Sequence, residues 1–144
     1  MADHVAIMKK SWGLTEKILN GEKTIETRWY KNKVKPWDKV KVGDTVYFKD
    51  SGEPITIKAI VSNVEQFEDL DEKKISDLFK RYGEEDLGTK EISEEIKKYV
   101  EGKRYSIIIH LKNPQLIKPF DINKNGFGAM SAWLTVDDIN SIKL

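Results

Sequence analysis

The chain has 144 residues, enough for one domain with a hydrophobic core, and its 39% of hydrophobic residues is too high for a disordered chain. It lacks cysteine, which excludes disulfides, thiolate metal sites and cysteine nucleophiles, and it has only two histidines, His4 and His110, so we expect no metal and no cofactor. The net charge is +1, no apolar run is long enough to cross a bilayer, and residues 1–10 lack the apolar stretch of a signal peptide. We therefore expect a cytoplasmic, monomeric protein without a membrane segment, forming a single domain over residues 1–144.

The first half of the chain predicts one helix followed by strands. Leu14–Asn20 has apolar residues at helical spacing, and the helix is expected to stop at Gly21. Three extended segments follow: Thr24–Tyr30, Thr45–Phe48 and an alternating run from Ile55 to Val61 that is expected to continue to Phe67.

The middle of the chain predicts two amphipathic helices. The first covers Asp71–Tyr82, with Asp69 and Glu72 at the spacing of a capping box, and the second covers Ile92–Val100. The polar, glycine-containing segment Gly83–Thr89 between them is predicted to be a mobile loop.

The last third predicts two more strands and a short helix. Tyr105–Leu111 is apolar enough for a core strand, whereas Leu116–Ile122 contains Pro119 and is therefore predicted to be an edge strand. A glycine-rich turn, Asn125–Gly128, precedes a final short helix that Thr135 and Asp138 are expected to cap.

Together these elements predict an α+β fold. Five or six strands and three or four short helices, without a repeating strand–helix–strand order, favour a mixed sheet curled into a small barrel. Residues 69–102 would form a helical insertion in it.

The sharpest local motif lies where the first helix passes into a strand and consists of Gly21, Lys23, Glu26 and Arg28. In an extended chain Glu26 and Arg28 share a face, with Lys23 at the junction. A carboxylate between two cations is expected to stay charged, with a lowered pKa. The lysine could face a phosphate or donate to a carbonyl oxygen. An ion pair that anchors the end of the strand is the structural alternative.

These four positions match the G-x-K-x-x-E-x-R signature of ASCH domains, and residues 5–112 resemble that family in the order of their elements. ASCH domains are PUA-like β-barrels related to RNA-binding modules. The resemblance implies that Lys23, Glu26 and Arg28 line a cleft between the first helix and the barrel, where a nucleotide or RNA lies.

Some members of the family are similar to amidohydrolases that deacetylate N4-acetylcytidine with the motif lysine, a threonine and a distant glutamate. Lys23 matches the lysine, but Glu26 stands at the threonine position, and Thr24 is two residues away from it. The candidates for the distant glutamate are Glu65, Glu68, Glu84 and Glu85. Another member resembles a ribonuclease, for which Lys23 could stabilise charge and Glu26 could act as the base.

Basic and aromatic residues are interleaved after the motif, as expected where phosphates are neutralised and bases are stacked. Trp29 and Trp37 are the predicted stacking residues, and Lys31, Lys33 and Lys35 the predicted phosphate contacts. Packing roles are expected for three other side chains: Trp12, Trp133 and His110.

The sequence thus predicts an RNA- or nucleotide-binding module, with Lys23, Glu26, Arg28 and the basic segment as ligand contacts. A hydrolase on a modified nucleoside or RNA, with Lys23 and Glu26 as catalytic groups, is the first alternative. A regulatory protein-interaction module, using the acidic helical residues 65–101, is the second.

Overall fold

Six strands form one mixed sheet in the computed structural model, which describes residues 1–34, 36–87, 93–128 and 131–144. In chain order the strands are β1 (Asp3–Met8), β2 (Ile25–Tyr30), β3 (Thr45–Asp50), β4 (Ile55–Phe67), β5 (Tyr105–Phe120) and β6 (Trp133–Val136). Their spatial order is β2-β5-β4-β3-β1-β6; the β1–β3 pair is parallel and the other pairs are antiparallel. The sheet curls into a half-barrel, which confirms the predicted α+β fold.

Three helices accompany the sheet: α1 (Leu14–Leu19), α2 (Glu72–Leu87) and α3 (Glu94–Val100). Short 3-10 turns cover Lys10–Trp12 and Ile139–Ser141. The second is capped by the Asp138 carboxylate, as predicted, whereas Thr135, the other predicted capping residue, lies in β6. Within the described ranges, no helix combines the length and the apolar composition needed to span a bilayer.

β5 replaces the two strands that the sequence predicts at its position. β2 pairs with Tyr105–His110, whereas the second half of β5 pairs only with β4 among the described residues. Pro114 and Pro119 are tolerated because that half has a free edge, where a missing N–H breaks no ladder. The separate edge strand predicted at Leu116–Ile122 is therefore wrong, although its edge character is correct.

β1 was not predicted at all. Its sequence, DHVAIM, buries Ala6 and Met8 on one face of the sheet and Val5 on the other, because an apolar cluster covers each face. Burial on both faces removes the apolar–polar alternation from which a strand such as Ile55–Val61 was predicted.

α2 differs from its prediction at both ends. It continues to residue 87, so the predicted loop Gly83–Thr89 is helical as far as it is described, and residues 88 and 89 lie outside the described part. The proposed capping box is wrong, since Asp69 has a left-handed backbone (φ 54°) and the Asp71 carboxylate instead accepts a hydrogen bond from the Lys74 N–H at 2.8 Å. Ile92, the predicted start of α3, also lies outside the described residues.

Two apolar clusters position the helices. One lies between α1 and the inner face of the sheet and includes Ile18 and Phe48. The other packs α2 on β2 and β5, where the Trp29 and Phe79 rings stack at 5.3 Å with their planes 2° apart. This second cluster brings the last turns of α2 beside the beginning of β2.

Candidate functional site

The motif lies at a tight connection between α1 and β2. Gly21 has φ +84°, a conformation that glycine adopts without strain, and the Lys23 N–H donates to the Lys17 carbonyl at 3.0 Å. This turn directs the motif side chains into the protein. Lys23, Glu26 and Arg28 are exposed by only 1%, 4% and 8%.

Lys23 is bound by α2. Its ammonium hydrogen-bonds to both the carboxylate and the backbone carbonyl of Asp86, and it lies 3.9 Å from Glu26 Oε1. Burying a charge is costly unless it is paired and hydrogen-bonded, and Asp86 provides both. Lys23 therefore pairs with a protein carboxylate and donates to a carbonyl oxygen, and donation to a carbonyl is one of the two roles predicted for it from the sequence.

Thr27 completes a hydrogen-bonded group of three with Lys23 and Asp86. Its hydroxyl donates to Asp86 Oδ2 at 2.7 Å and accepts a hydrogen bond from the Trp29 indole N–H at 3.0 Å. Neither Thr27 nor Asp86 was predicted as a site residue. Asp86 fell within the segment predicted to be a loop, and Thr27 lies between Glu26 and Arg28, the two residues that were predicted to share one face.

The pKa of Glu26 is shifted in the direction opposite to the one predicted. Burial raises the pKa of its carboxyl above the ordinary value, although Lys23 and Arg28 act in the opposite direction. Both cations are 3.9 Å from Oε1, too far for a hydrogen bond, and Oε2 has no hydrogen-bond partner among the described residues. The predicted lowering of the pKa is wrong because desolvation outweighs the two cations.

Arg28 is oriented by residues around β1 and β6. Its guanidinium donates to the Ala132 carbonyl at 3.3 Å, contacts Met8 Sδ at 3.5 Å, and lies 5.3 Å from the centre of the Trp133 ring. Its Nε atom is buried without a hydrogen-bond partner in the described part of the chain. Arg28 thus has an unpaired N–H donor close to the Glu26 carboxyl, which itself has an unpaired oxygen.

A buried histidine fixes the orientation of Trp133. The indole N–H, which can only donate, points to His4 Nδ1 at 3.2 Å, so the His4 proton is on Nε2, where it is donated to Asp44 at 2.8 Å. Burial raises the pKa of Asp44, but hydrogen bonds from His4 and from the Lys41 and Ala2 amides outweigh it and lower that pKa. Asp44 therefore holds His4 in the tautomer that accepts from Trp133.

Glu26, Thr27 and Arg28 border a cleft of about 550 Å³, here called the motif cleft, whereas Lys23 is not part of its lining. Its lining includes Met8, Trp12, Glu26, Thr27, Arg28 and Tyr99. Tyr99 is 42% exposed and meets Trp12 edge to face at 5.7 Å, so Trp12 borders the cleft in addition to packing on the core. A larger groove of about 1160 Å³ between α2 and α3 contains none of the motif residues in its lining, so we place the candidate site in the motif cleft.

The two tryptophans predicted to stack bases lie elsewhere. Trp29 is 5% exposed and its ring is stacked on Phe79, because its position on β2 directs it toward α2. Trp37 packs edge to face on Tyr105 at 5.4 Å. Neither lines the motif cleft.

The predicted lysine contacts also lie outside the cleft lining. Lys31 is exposed after the end of β2. Lys33 lies 3.3 Å from Glu68 and 5.6 Å from the centre of the Trp37 ring. Lys35 lies outside the described residues.

None of the glutamates considered as a distant catalytic acid is seen at the motif. Glu65 accepts hydrogen bonds from Tyr82 at 2.7 Å and contacts His110 Nε2 at 2.8 Å, while Glu68 pairs with Lys33. The side chains of Glu84 and Glu85 lie outside the described part. Thr24 is exposed. Across the described ranges, no cluster of three or more histidine and carboxylate side chains could hold a metal ion.

Comparisons with known proteins give structural matches only. No family model and no curated protein matches the sequence. The structure of ASCH from Zymomonas mobilis has 18% identity and a TM-score of 0.65 over 92% of this chain and 85% of that chain. A single-residue variant of that protein gives 18% identity and a TM-score of 0.69 over 96% and 91%. The structure of the hypothetical protein PH0355 has 22% identity and a TM-score of 0.51 over 78% of this chain and 97% of that chain. At these identities the likeness establishes the fold.

Replacing Glu26 by glutamine is expected to make stability less dependent on pH. Because the pKa of Glu26 is raised above 4.5, the folded state holds its proton more tightly than the unfolded chain does. The free energy of unfolding of the wild type therefore falls as pH rises from about 4.5 through the raised value, by at most about 1.4 kcal/mol per pH unit. Glutamine does not titrate, so Glu26→Gln should gain stability relative to the wild type with rising pH.

Urea denaturation of both proteins between about pH 4 and pH 8 measures this difference. Glu68→Gln, which removes an exposed carboxylate away from the cleft, is the matched control and should show no such trend. A Glu26→Gln difference that is constant over this range, or that turns against the variant as pH rises, would contradict the assignment.

Proposed function

We propose that this chain, which has the ASCH fold, binds a nucleobase of a nucleotide or RNA in the motif cleft and recognises the edge of the base through Glu26 and Arg28. One observation carries the proposal: two polar side chains, each more than nine-tenths buried, border the cleft with Glu26 Oε2 and Arg28 Nε unpaired in the described structure. Buried polar atoms of native proteins are almost always hydrogen-bonded, so such a pair favours a ligand with matching groups.

The chemistry of the pair suits a base edge. A carboxylate accepts hydrogen bonds and a guanidinium donates them, and the nearest Glu26 and Arg28 atoms are 3.9 Å apart. Carboxylates accept from exocyclic amines of bases, and arginine donates to ring nitrogens and carbonyl oxygens. Since an unpaired buried group costs about 1–3 kcal/mol, a ligand that lacks the complementary groups would be rejected by a similar margin.

The rest of the cleft supports the same ligand class. Tyr99 and Trp12 provide aromatic surface, and stacking of a base on an aromatic side chain contributes about 1–3 kcal/mol. A volume of about 550 Å³ lies within the usual range of small-molecule pockets. The stacking surface thus comes from α3 and the turn before α1, in place of the tryptophans predicted from the sequence.

Binding of a base that carries an exocyclic amine is expected to strengthen as pH rises. Such a base donates to the ionised Glu26 carboxyl, whose pKa burial raises in the free protein, so binding is coupled to loss of the Glu26 proton at pH values up to the raised pKa. Titrations of cytidine, adenosine and uridine against pH should show this trend for the two amine-bearing nucleosides and lose it in Glu26→Gln, with affinity falling about tenfold at high pH, or about 1.4 kcal/mol. Glu68→Gln should behave as the wild type. If no nucleoside binds, or if Glu26→Gln leaves the affinities and their pH dependence unchanged, the proposal is wrong.

A second candidate function is hydrolysis of an acyl amide on the base, and the hydrogen bonds of Thr27 favour it. The Thr27 hydroxyl would attack the amide carbonyl carbon while its proton moves to Asp86 Oδ2, 2.7 Å away. Collapse of the intermediate would break the C–N bond, with that proton passing to the leaving amine, and water would then hydrolyse the acyl-threonine ester. In this scheme Lys23 holds Asp86 in place, so the catalytic pair is Thr27 and Asp86, where the sequence predicted Lys23 and Glu26.

Thr27→Val is expected to abolish turnover of an N-acylated cytidine without weakening binding of cytidine by more than a few fold. Valine retains the shape of threonine but has no hydroxyl to attack or to donate to Asp86. Product release measured by chromatography, with Thr24→Val as the matched control for an exposed threonine, separates the two functions. Turnover that survives Thr27→Val excludes this mechanism, and binding without turnover in the wild type leaves the binding module alone.

A further inference from the structure

The charges that line the motif cleft do not balance. Five charged residues border it: Lys9, Glu26, Arg28, Glu95 and Lys124. Lys9 pairs with Glu95, and Arg28 lies 3.9 Å from Glu26. Lys124 has no carboxylate within 4.0 Å among the described residues; its ammonium donates to the Ser131 carbonyl at 3.3 Å. Lys124 is therefore the cation of the lining that remains free for a ligand.

A second unpaired lysine lies next to it. Lys49 on β3 is half-buried and pairs in register with Ile7 of β1, which lines the cleft. The carboxylate of the next residue, Asp50, accepts from the Thr15 hydroxyl at 2.7 Å, and Asp121, whose charge acts on Lys49, is not within ion-pair distance of it. No carboxylate of the described part comes within 4.0 Å of the Lys49 ammonium.

The two ammonium groups also oppose one another. Burial is the largest cause that lowers the pKa of Lys49, the charge of Lys124 lowers it further, and Asp121 compensates only in part. Two neighbouring cations at a half-buried position are unfavourable unless an anion lies between them. This arrangement favours an anionic ligand group at the rim of the cleft.

We propose that Lys49 and Lys124 bind a phosphate of the nucleotide whose base occupies the motif cleft. The inference rests on the proposed function and adds a phosphate subsite to its base site, for a nucleotide that is either free or within RNA.

The anchoring of the two binding groups sets their spacing. The Arg28 guanidinium donates to the Ala132 carbonyl and the Lys124 ammonium to the preceding carbonyl, that of Ser131, each at 3.3 Å. Because consecutive Cα atoms are about 3.8 Å apart, the two cationic groups are separated by roughly 12 Å at most. One nucleotide can therefore contact both.

The test compares the affinities of cytidine, its 5′- and 3′-monophosphates and a cytidine dinucleotide for the full chain at low and high salt. At least one phosphorylated ligand should bind about tenfold more tightly than cytidine at low salt. This gain in affinity should become smaller at high salt, where ions screen the lysines from the phosphate. If a monophosphate binds more tightly than cytidine, a free nucleotide is a sufficient ligand. If only the dinucleotide does so, the ligand is the backbone phosphate of RNA.

Variants separate the subsite from the base site. Lys124→Ala should remove the phosphate gain and leave cytidine affinity unchanged, Lys49→Ala should reduce the gain, and Lys124→Arg should retain it. Lys39→Ala, at an exposed lysine outside the cleft, should bind every ligand as the wild type does. Equal binding of cytidine and all phosphorylated ligands overturns the subsite and leaves the proposed function standing. Failure of every ligand, cytidine included, overturns both.

Discussion

The buried ion pair between Lys23 and Asp86 is the contact on which the site depends. It joins the turn before β2 to the last turns of α2, which are 63 residues apart in sequence. Removing one partner of such a pair leaves an uncompensated buried charge and costs about 3–5 kcal/mol. Because the Lys23 ammonium donates its hydrogen bonds to Asp86, Glu26 has no cation at hydrogen-bonding distance. Burial is then the largest influence on the pKa of Glu26 and raises it. The ion pair thus makes Glu26 the responsive carboxyl of the cleft.

Two further sets of contacts hold the partners in place. The Trp29–Phe79 stack and the hydrogen bond from Tyr82 to Glu65 fix α2 on the sheet, so that Asp86 reaches Lys23. On the other side of the cleft, Asp44, His4 and Trp133 form a buried chain that orients Arg28. Glu26 and Arg28 both lie on β2, but different parts of the fold position them. The Lys23–Asp86 pair of α2 acts on Glu26, and the residues around β1 and β6 orient Arg28.

The sequence predicted the local features well because local spacing encodes them. The end of α1 before Gly21, the β2 and β4 segments, and the place of the motif at the helix-to-strand junction follow from residues close together in the chain. It could not predict Asp86 as the partner of Lys23, or the Tyr99 wall of the cleft, since these contacts join segments distant in sequence. The errors at Trp29 and Glu26 have different causes. Basic and aromatic composition suggested that Trp29 is exposed, whereas α2 covers its face of β2. For Glu26 the two flanking cations suggested a lowered pKa, whereas burial outweighs them.

The cleft combines a carboxyl whose pKa is raised by burial, an unsatisfied guanidinium nitrogen and an exposed tyrosine, which is a set suited to a flat ligand with a polar edge. The most direct test of this account is an NMR titration of the Glu26 side-chain carboxyl with and without cytidine. The account predicts a pKa above the ordinary glutamate value in the free protein and a lower one in the complex, because the bound amine stabilises the ionised form. A Glu26 carboxyl that titrates at or below the ordinary value, or that does not respond to the nucleoside, would contradict it.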